Sequence, residues 1–199
     1  MTEVPRITVD KLVALHEVLL LDAYGVLMDS SGALPGAVDL IERLNRAGGP
    51  YLILTNDSSR LPTTSATRYR SFGLDIDSER IVCSGSLIDR YFESQSLAGA
   101  RCAVLGTEDS LQYVVDAGGR VVSPDEPFDV LAIGGVSGFP FIETVNSVLS
   151  TMLRRMDEGA KVHLVLMNPD MLYPRGNGRF GIAAGSIALA LEAALRLRY

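Results

Sequence analysis

The sequence predicts an α/β protein built on parallel sheets. Apolar runs of strand length recur along it: VLLLD (18–22), YLILT (51–55), FDVLAIGG (128–135) and KVHLVLMN (161–168). Segments of helical period separate them, which is the α/β alternation. VLLLD is continuously apolar rather than alternating, so it reads as a parallel strand buried on both faces.

Bulk properties narrow the class. A chain of 199 residues can bury a core as one large domain or two small ones. Hydrophobic residues make up 47% and charged residues 21%, as in ordinary globular proteins. A net charge of −6 argues against nucleic acid and anionic membrane as partners. No apolar run approaches the ~20 residues that span a bilayer. The opening MTEVPRITVDK lacks the basic and apolar regions of a signal peptide. Cys83 and Cys102 lie in apolar runs without metal-ligand spacing, so they are expected to be buried free thiols. Together these features predict a cytoplasmic setting.

The elements follow in order. After VLLLD, Pro35 suits a first helical turn, Val38, Ile41 and Leu44 share a face, and Gly48-Gly49 supplies the stop. YLILT is the second strand, a helix covers roughly 63–72, and RIVCSG (80–85) is the third strand. Right-handed crossovers would make these one side of a doubly wound sheet. The pattern then restarts. SLIDRYFES is helical, RCAVLG a strand, DSLQYVVDAGG a helix and RVVS a strand. FDVLAIGG is a strand, FIETVNSVLSTMLRRMDEG a long amphipathic helix, and KVHLVLMN a further strand. GIAAGSIALALEAALRLR is a final helix with Arg196 and Arg198 in its last turn. The expected division is residues 1–83 with 181–199 in one unit, and 84–180 in a second with its own sheet.

In an open parallel sheet, ligands bind beyond the carboxyl ends of the strands. Two neighbouring strands here end in chemistry. The first delivers Asp22, followed by Gly25; the second delivers Thr55-Asn56, opening TNDSSR. A carboxylate, a hydroxyl and loop amides could surround one tetrahedral anion, and the carboxylate could attack phosphorus to form an acyl phosphate. The plainer alternative is that Asp22 and Thr55-Asn56 are turn formers and helix caps. Other chemistries find no support. Neither G-x-G-x-x-G after a strand nor G-x-x-x-x-G-K-[ST] occurs, nor a G-x-S-x-G elbow. His16 and His163 are solitary, and His163 reads as a satisfied strand residue.

LLLDAYGVL, LPGAVDLIERL, YLILTNDSSR, MNPDMLYP and NGRFGIAAGSIALALEAA resemble, in that order, the haloacid-dehalogenase superfamily. They are most similar to its class IIA branch of p-nitrophenyl-phosphatase-like and sugar phosphatases. The resemblance implies a Rossmann-like core with an inserted α/β cap of the C2 type. It implies a magnesium-dependent hydrolase of a small phosphorylated metabolite, with dimerisation through the cap. Asp22 would be the nucleophile and a metal ligand, and the Tyr24 carbonyl a second ligand. Thr55 and Asn56 would hold the phosphoryl oxygens with Gly25. Asn168 and Asp170 of the NPD loop would face the substrate from the cap.

Two departures matter. The resemblance implies an aspartate at position 24 as acid and base, where this sequence has Tyr24. Phenols ionise near 10 when unperturbed, a poor match for such work near neutrality. Asp57 is the expected surrogate, because related sequences have asparagine there. DAYG also resembles the first motif of metal-independent 2-haloacid dehalogenases, so carbon–halogen hydrolysis is one alternative and a non-catalytic binding protein another. The resemblance further implies a lysine and a GDxxxTD-like strand end beyond the last helix. The sequence stops at Tyr199 before them, so the chain is expected to be the first two-thirds of a longer protein, with VLLLD left as an apolar edge.

Overall fold

The structure is a computed structural model that describes residues 6–175 and 178–198. Its first sheet holds β1 (Leu19–Asp22), β2 (Tyr51–Thr55) and β3 (Ile81–Cys83), all parallel, in that order. α1 (Val9–Leu15), α2 (Ala37–Ala47) and α3 (Pro62–Ser71) accompany them. The punctuation of α2 follows from the sequence. It ends at Gly48, whose φ of +63° is a left-handed conformation that glycine adopts without strain. Ile41 and Leu44 are buried against the sheet.

Register fixes what the first sheet presents at its tip. Asp22 pairs with Leu54, so Thr55 stands one residue beyond it on the adjacent strand. The expectation that β1 is buried on both faces fails. Leu19 is buried, yet Leu20 is 60% exposed. β1 has one strand neighbour among the described residues, and Leu20, Leu54 and Val82 share a face that solvent reaches. The apolar edge expected from the sequence is therefore present.

The second sheet has the order β5-β4-β6-β7, all parallel. It comprises β4 (Arg101–Leu105), β5 (Arg120–Val121), β6 (Val130–Ile133) and β7 (His163–Leu166). Its central strands alternate between two cores. Cys102, Val104, Val130 and Ala132 pack with Phe92 of α4 (Ile88–Gln95) and Tyr113 of α5 (Glu108–Asp116). Ala103, Leu105, Leu131 and Ile133 pack with Val148 of α6 (Phe141–Asp157) and Ile187 and Leu191 of α7 (Ala184–Arg196). α7 thus lies on the second sheet. A helix bearing Ile187, Ala188 and Leu191 on one stripe must cover an apolar face, and Leu131 and Ile133 supply it.

Between β7 and α7 lies an antiparallel hairpin, β8 (Leu172–Pro174) and β9 (Phe180–Ile182), which apolar periodicity did not reveal. Both cysteines are buried and free. Burial raises both thiols, Cys102 to about 11, consistent with inert core residues. The His163 ring nitrogen Nδ1 meets the Tyr91 hydroxyl at 3.0 Å, satisfying that histidine. Among the described residues no helix is long and apolar enough to cross a membrane.

The core makes a direct prediction. Ile53, fully buried on the central strand β2, carries the wall on which Thr55 stands. Ile53→Ala should lower the urea unfolding free energy by about 2–5 kcal/mol through the cavity it leaves. A loss below about 1 kcal/mol would mean that this sheet is not a packed core.

Candidate active site

The tips of β1 and β2 open into a cavity of about 510 Å³, a size suited to a small-molecule ligand. Asp22, Thr55 and Asn56 line it, together with Asn168, Asp170 and the 134–137 loop. Asp22 is exposed to this space, and its Oδ1 accepts the Ala23 amide at 2.9 Å. The Thr55 Oγ1 accepts the Asp57 amide at 3.2 Å. That leaves the threonine proton without a partner among the described residues, free to meet an anion.

The loop after β2 is held from the second unit. Ser58 is wholly buried and donates to the Gly134 carbonyl at 2.7 Å. Thr107 donates to the Ser59 carbonyl at 2.6 Å, and Tyr113 to the Arg60 carbonyl at 2.8 Å. Asp109 accepts the Leu61 amide at 2.9 Å. These bonds from one unit fix the backbone of a single loop rather than leaving the cavity wall to side-chain rotamers. Gly134 permits the approach: a Cβ there would stand 2.8 Å from Ser110 Oγ and 3.3 Å from the Ser58 carbonyl.

The NPD loop, which also lines the cavity, is built with equal tightness. Asn168 Oδ1 accepts the Asp170 amide at 2.8 Å, an Asx turn. Gly185 at the start of α7 donates its amide to the Asp170 carbonyl at 2.9 Å. A Cβ on Gly185 would stand 2.4 Å from the Pro169 carbonyl oxygen, which is backbone and cannot swing away. Gly185→Ala should therefore cost about 1–3 kcal/mol through overpacking and displace the loop. Thermal melting read alongside ligand binding checks this; an unchanged melt with unchanged binding would contradict the contact. The Asn56 Nδ2 donates to the Asp170 Oδ1 at 3.1 Å.

Gly25, Asp57 and Tyr24 each have a partner within the protein. Gly25 lies outside the cavity wall, and its amide donates to the Met28 carbonyl at 2.7 Å. With φ of +89° it makes the turn and offers no donor to a phosphate. Asp57 lines the cavity, but its carboxylate is engaged by the Ser59 amide at 2.9 Å, the Ser59 hydroxyl at 2.5 Å and Arg60 at 2.8 Å. A carboxyl group whose oxygens already accept these bonds is not free to meet a leaving group, so the geometry does not favour it as surrogate acid. Tyr24 lines the cavity, yet its hydroxyl donates to the Pro174 carbonyl at 2.7 Å and serves as a latch between units.

Sequence patterning missed the 134–137 loop, Arg60 and Arg68. The double glycine at the tip of β6 was the available signal for the loop, by the same strand-end rule that found Asp22. Arg68 borders the cavity with its guanidinium 5.2 Å from the Phe72 ring centre. Burial lowers its proton affinity, and the like charge of Arg60 adds to that. Tyr69 beneath it is pushed up to about 12 by burial, so it stays a neutral wall.

The donor set suits a hard cation. The Tyr24 carbonyl accepts no hydrogen bond from any described residue and neighbours the Asp22 carboxylate in sequence. One carboxylate with one carbonyl is a minimal magnesium cradle, since that ion commonly keeps waters and takes phosphate oxygens as further ligands. Among the described residues no group of three His, Cys, Asp or Glu side chains could hold a metal.

A family model described as haloacid dehalogenase-like hydrolase matches residues 19–120, just over half of the chain. The chain belongs to the haloacid dehalogenase-like hydrolases. The match begins at β1 and includes the tips of both β1 and β2. Relatives within this hydrolase family carry more specific names. The dihydroxyacetone phosphatase of Corynebacterium glutamicum is 27% identical over 175 residues, covering 88% of this chain and 60% of that protein. The acid sugar phosphatase of Staphylococcus aureus is 29% identical over 119 residues, 60% of this chain and 45% of that protein. A crystal structure of a "possible sugar phosphatase" from Cytophaga hutchinsonii superposes with a TM-score of 0.80 at 27% identity, covering 94% of this chain and 66% of that one. A glycerol phosphate phosphatase of Mycobacterium tuberculosis, solved with magnesium, shares the fold with a TM-score of 0.73 at 24% identity, over 92% of this chain and 53% of that one. This hydrolase chain thus spans 60% and 45% of the length of the two curated relatives.

Proposed function

We propose that the chain forms the phosphoryl-transfer site of a magnesium-dependent phosphatase acting on a small phosphorylated metabolite of the sugar-phosphate class. The observation that carries this reading is the cavity shared by Asp22 and Thr55, tips of neighbouring parallel strands in register. Residues 1–83 act as the core unit and 84–180 as the cap; the packing of α7 on the second sheet supports assigning 181–198 to the cap as well.

Asp22 attacks phosphorus and forms an aspartyl phosphate, dividing one hard displacement into two easier ones. The Thr55 hydroxyl and the Asn56 amide group stabilise the equatorial oxygens. Asp22 and the Tyr24 carbonyl would hold magnesium, whose double charge, when bound, offsets that of the phosphoryl oxygens. Asn168 and the 134–137 loop wall in the leaving group and exclude water from it. Phosphate release from a panel of sugar and polyol phosphates, with and without EDTA, tests the reading. Release that chelation abolishes is expected. Halide release from 2-haloacids in the presence of EDTA, without phosphate release, would replace this reading with carbon–halogen hydrolysis.

A further inference from the structure

Phosphoryl transfer to Asp22 leaves an oxygen that needs a proton, and the cavity narrows the choice of donor. The Tyr24 hydroxyl proton is directed at the Pro174 carbonyl. The Asp57 carboxylate is closed by Ser59 and Arg60. Tyr69 is neutral and held near 12 by burial. Tyr173 lays its ring over Gly181, where a Cβ would come within 2.9 Å of the phenol oxygen. One carboxyl group of the wall remains besides Asp22. Asp170 uses Oδ1 to accept from Asn56, and its Oδ2 has no partner among the described residues.

We infer that Asp170 is the general acid and base of the reaction, standing where the nucleophile-plus-two residue is a tyrosine. The inference rests on the phosphatase reading above. Its geometric basis is that Asp22 and Asp170 line one cavity from different elements, and that the Asp170 Oδ2 has no partner among the described residues. In-line displacement puts the attacking and leaving oxygens on opposite sides of phosphorus. Asp22 comes from the first sheet, and Asp170 comes from the loop after β7, tied through Asn56 to the strand that carries Thr55. The Asx turn at Asn168 and the amide of Gly185 fix the loop, so the carboxyl group is presented without a rotamer search of its backbone.

The steps balance. A lone pair of the Asp22 carboxylate forms the new bond to phosphorus while the ester P–O bond breaks. Its electron pair goes to the leaving oxygen, which takes the Asp170 proton and departs as an alcohol. Water then attacks the aspartyl phosphate and gives a proton to the Asp170 carboxylate. The P–O bond to Asp22 breaks, restoring its carboxylate and releasing inorganic phosphate.

Leaving-group dependence tests this directly, because nitrophenolate departs without a proton whereas an alkoxide does not. With Asp170→Asn, kcat for glycerol phosphate and sugar phosphates should fall about 10²–10⁴-fold. The loss on p-nitrophenyl phosphate should be far smaller, so the dependence of rate on leaving-group basicity steepens. Asp170→Ser, which keeps the turn chemistry of the loop, should steepen it equally, and turnover of the nitrophenyl ester reports that each variant is folded. An equal loss on both ester types would overturn the assignment in favour of a binding or structural role. So would alkyl-ester turnover that survives either substitution. If the unaltered protein releases phosphate from no ester, the phosphatase reading itself fails, which is a different result from either.

Discussion

Asp22→Asn should reduce phosphate release by about 10⁴-fold or more, as expected when a nucleophile is removed and only binding and electrostatic assistance remain. The substitution changes one oxygen for an amide nitrogen of nearly the same size. Asp22 is exposed at the strand end and makes one local hydrogen bond, to the Ala23 amide. Folding should therefore survive, and the effect belongs to chemistry. Steady-state release of phosphate from the best ester of the panel, with thermal melting as control, measures it. Turnover within about tenfold of the unaltered protein would require a nucleophile other than Asp22.

Thr55→Val should cost about 10²–10³-fold in kcat, the range seen when one donor to a developing charge is lost. Valine matches threonine in shape and β-branching, so β2 keeps its strand preference. What disappears is the hydroxyl, both as acceptor of the Asp57 amide at 3.2 Å and as donor into the cavity. Thr55→Ser restores the hydroxyl and should recover most of the rate. If valine and serine behave alike, the loss came from packing and the donor role is refuted.

The strands and their tips could be read from the sequence because a parallel sheet writes itself as continuous apolar runs. Asp22 and Thr55 were found by asking what stands at the end of each. What the sequence hid are properties of contact. Leu20 reads as buried by composition, but its burial depends on a neighbour that the described sheet does not supply. Asp57 looked like a free acid until Arg60, three residues on, was seen to pair with it. The β8–β9 hairpin was hidden because its strands are three residues each, too short for alternation to register. The place of α7 was hidden for a similar reason: its apolar stripe says that it packs, and only the structure says on which sheet.

The central claim is that a carboxylate at the end of β1 bonds covalently to phosphorus during turnover. Rapid acid quench of the intact protein mixed with substrate, followed by mass analysis of its peptides, tests it most directly. The peptide bearing Asp22 should carry one added phosphoryl group at early times and lose it as free phosphate accumulates. Phosphate released at the full rate, while that peptide keeps its original mass at every quench time and another residue carries the label, would contradict the account.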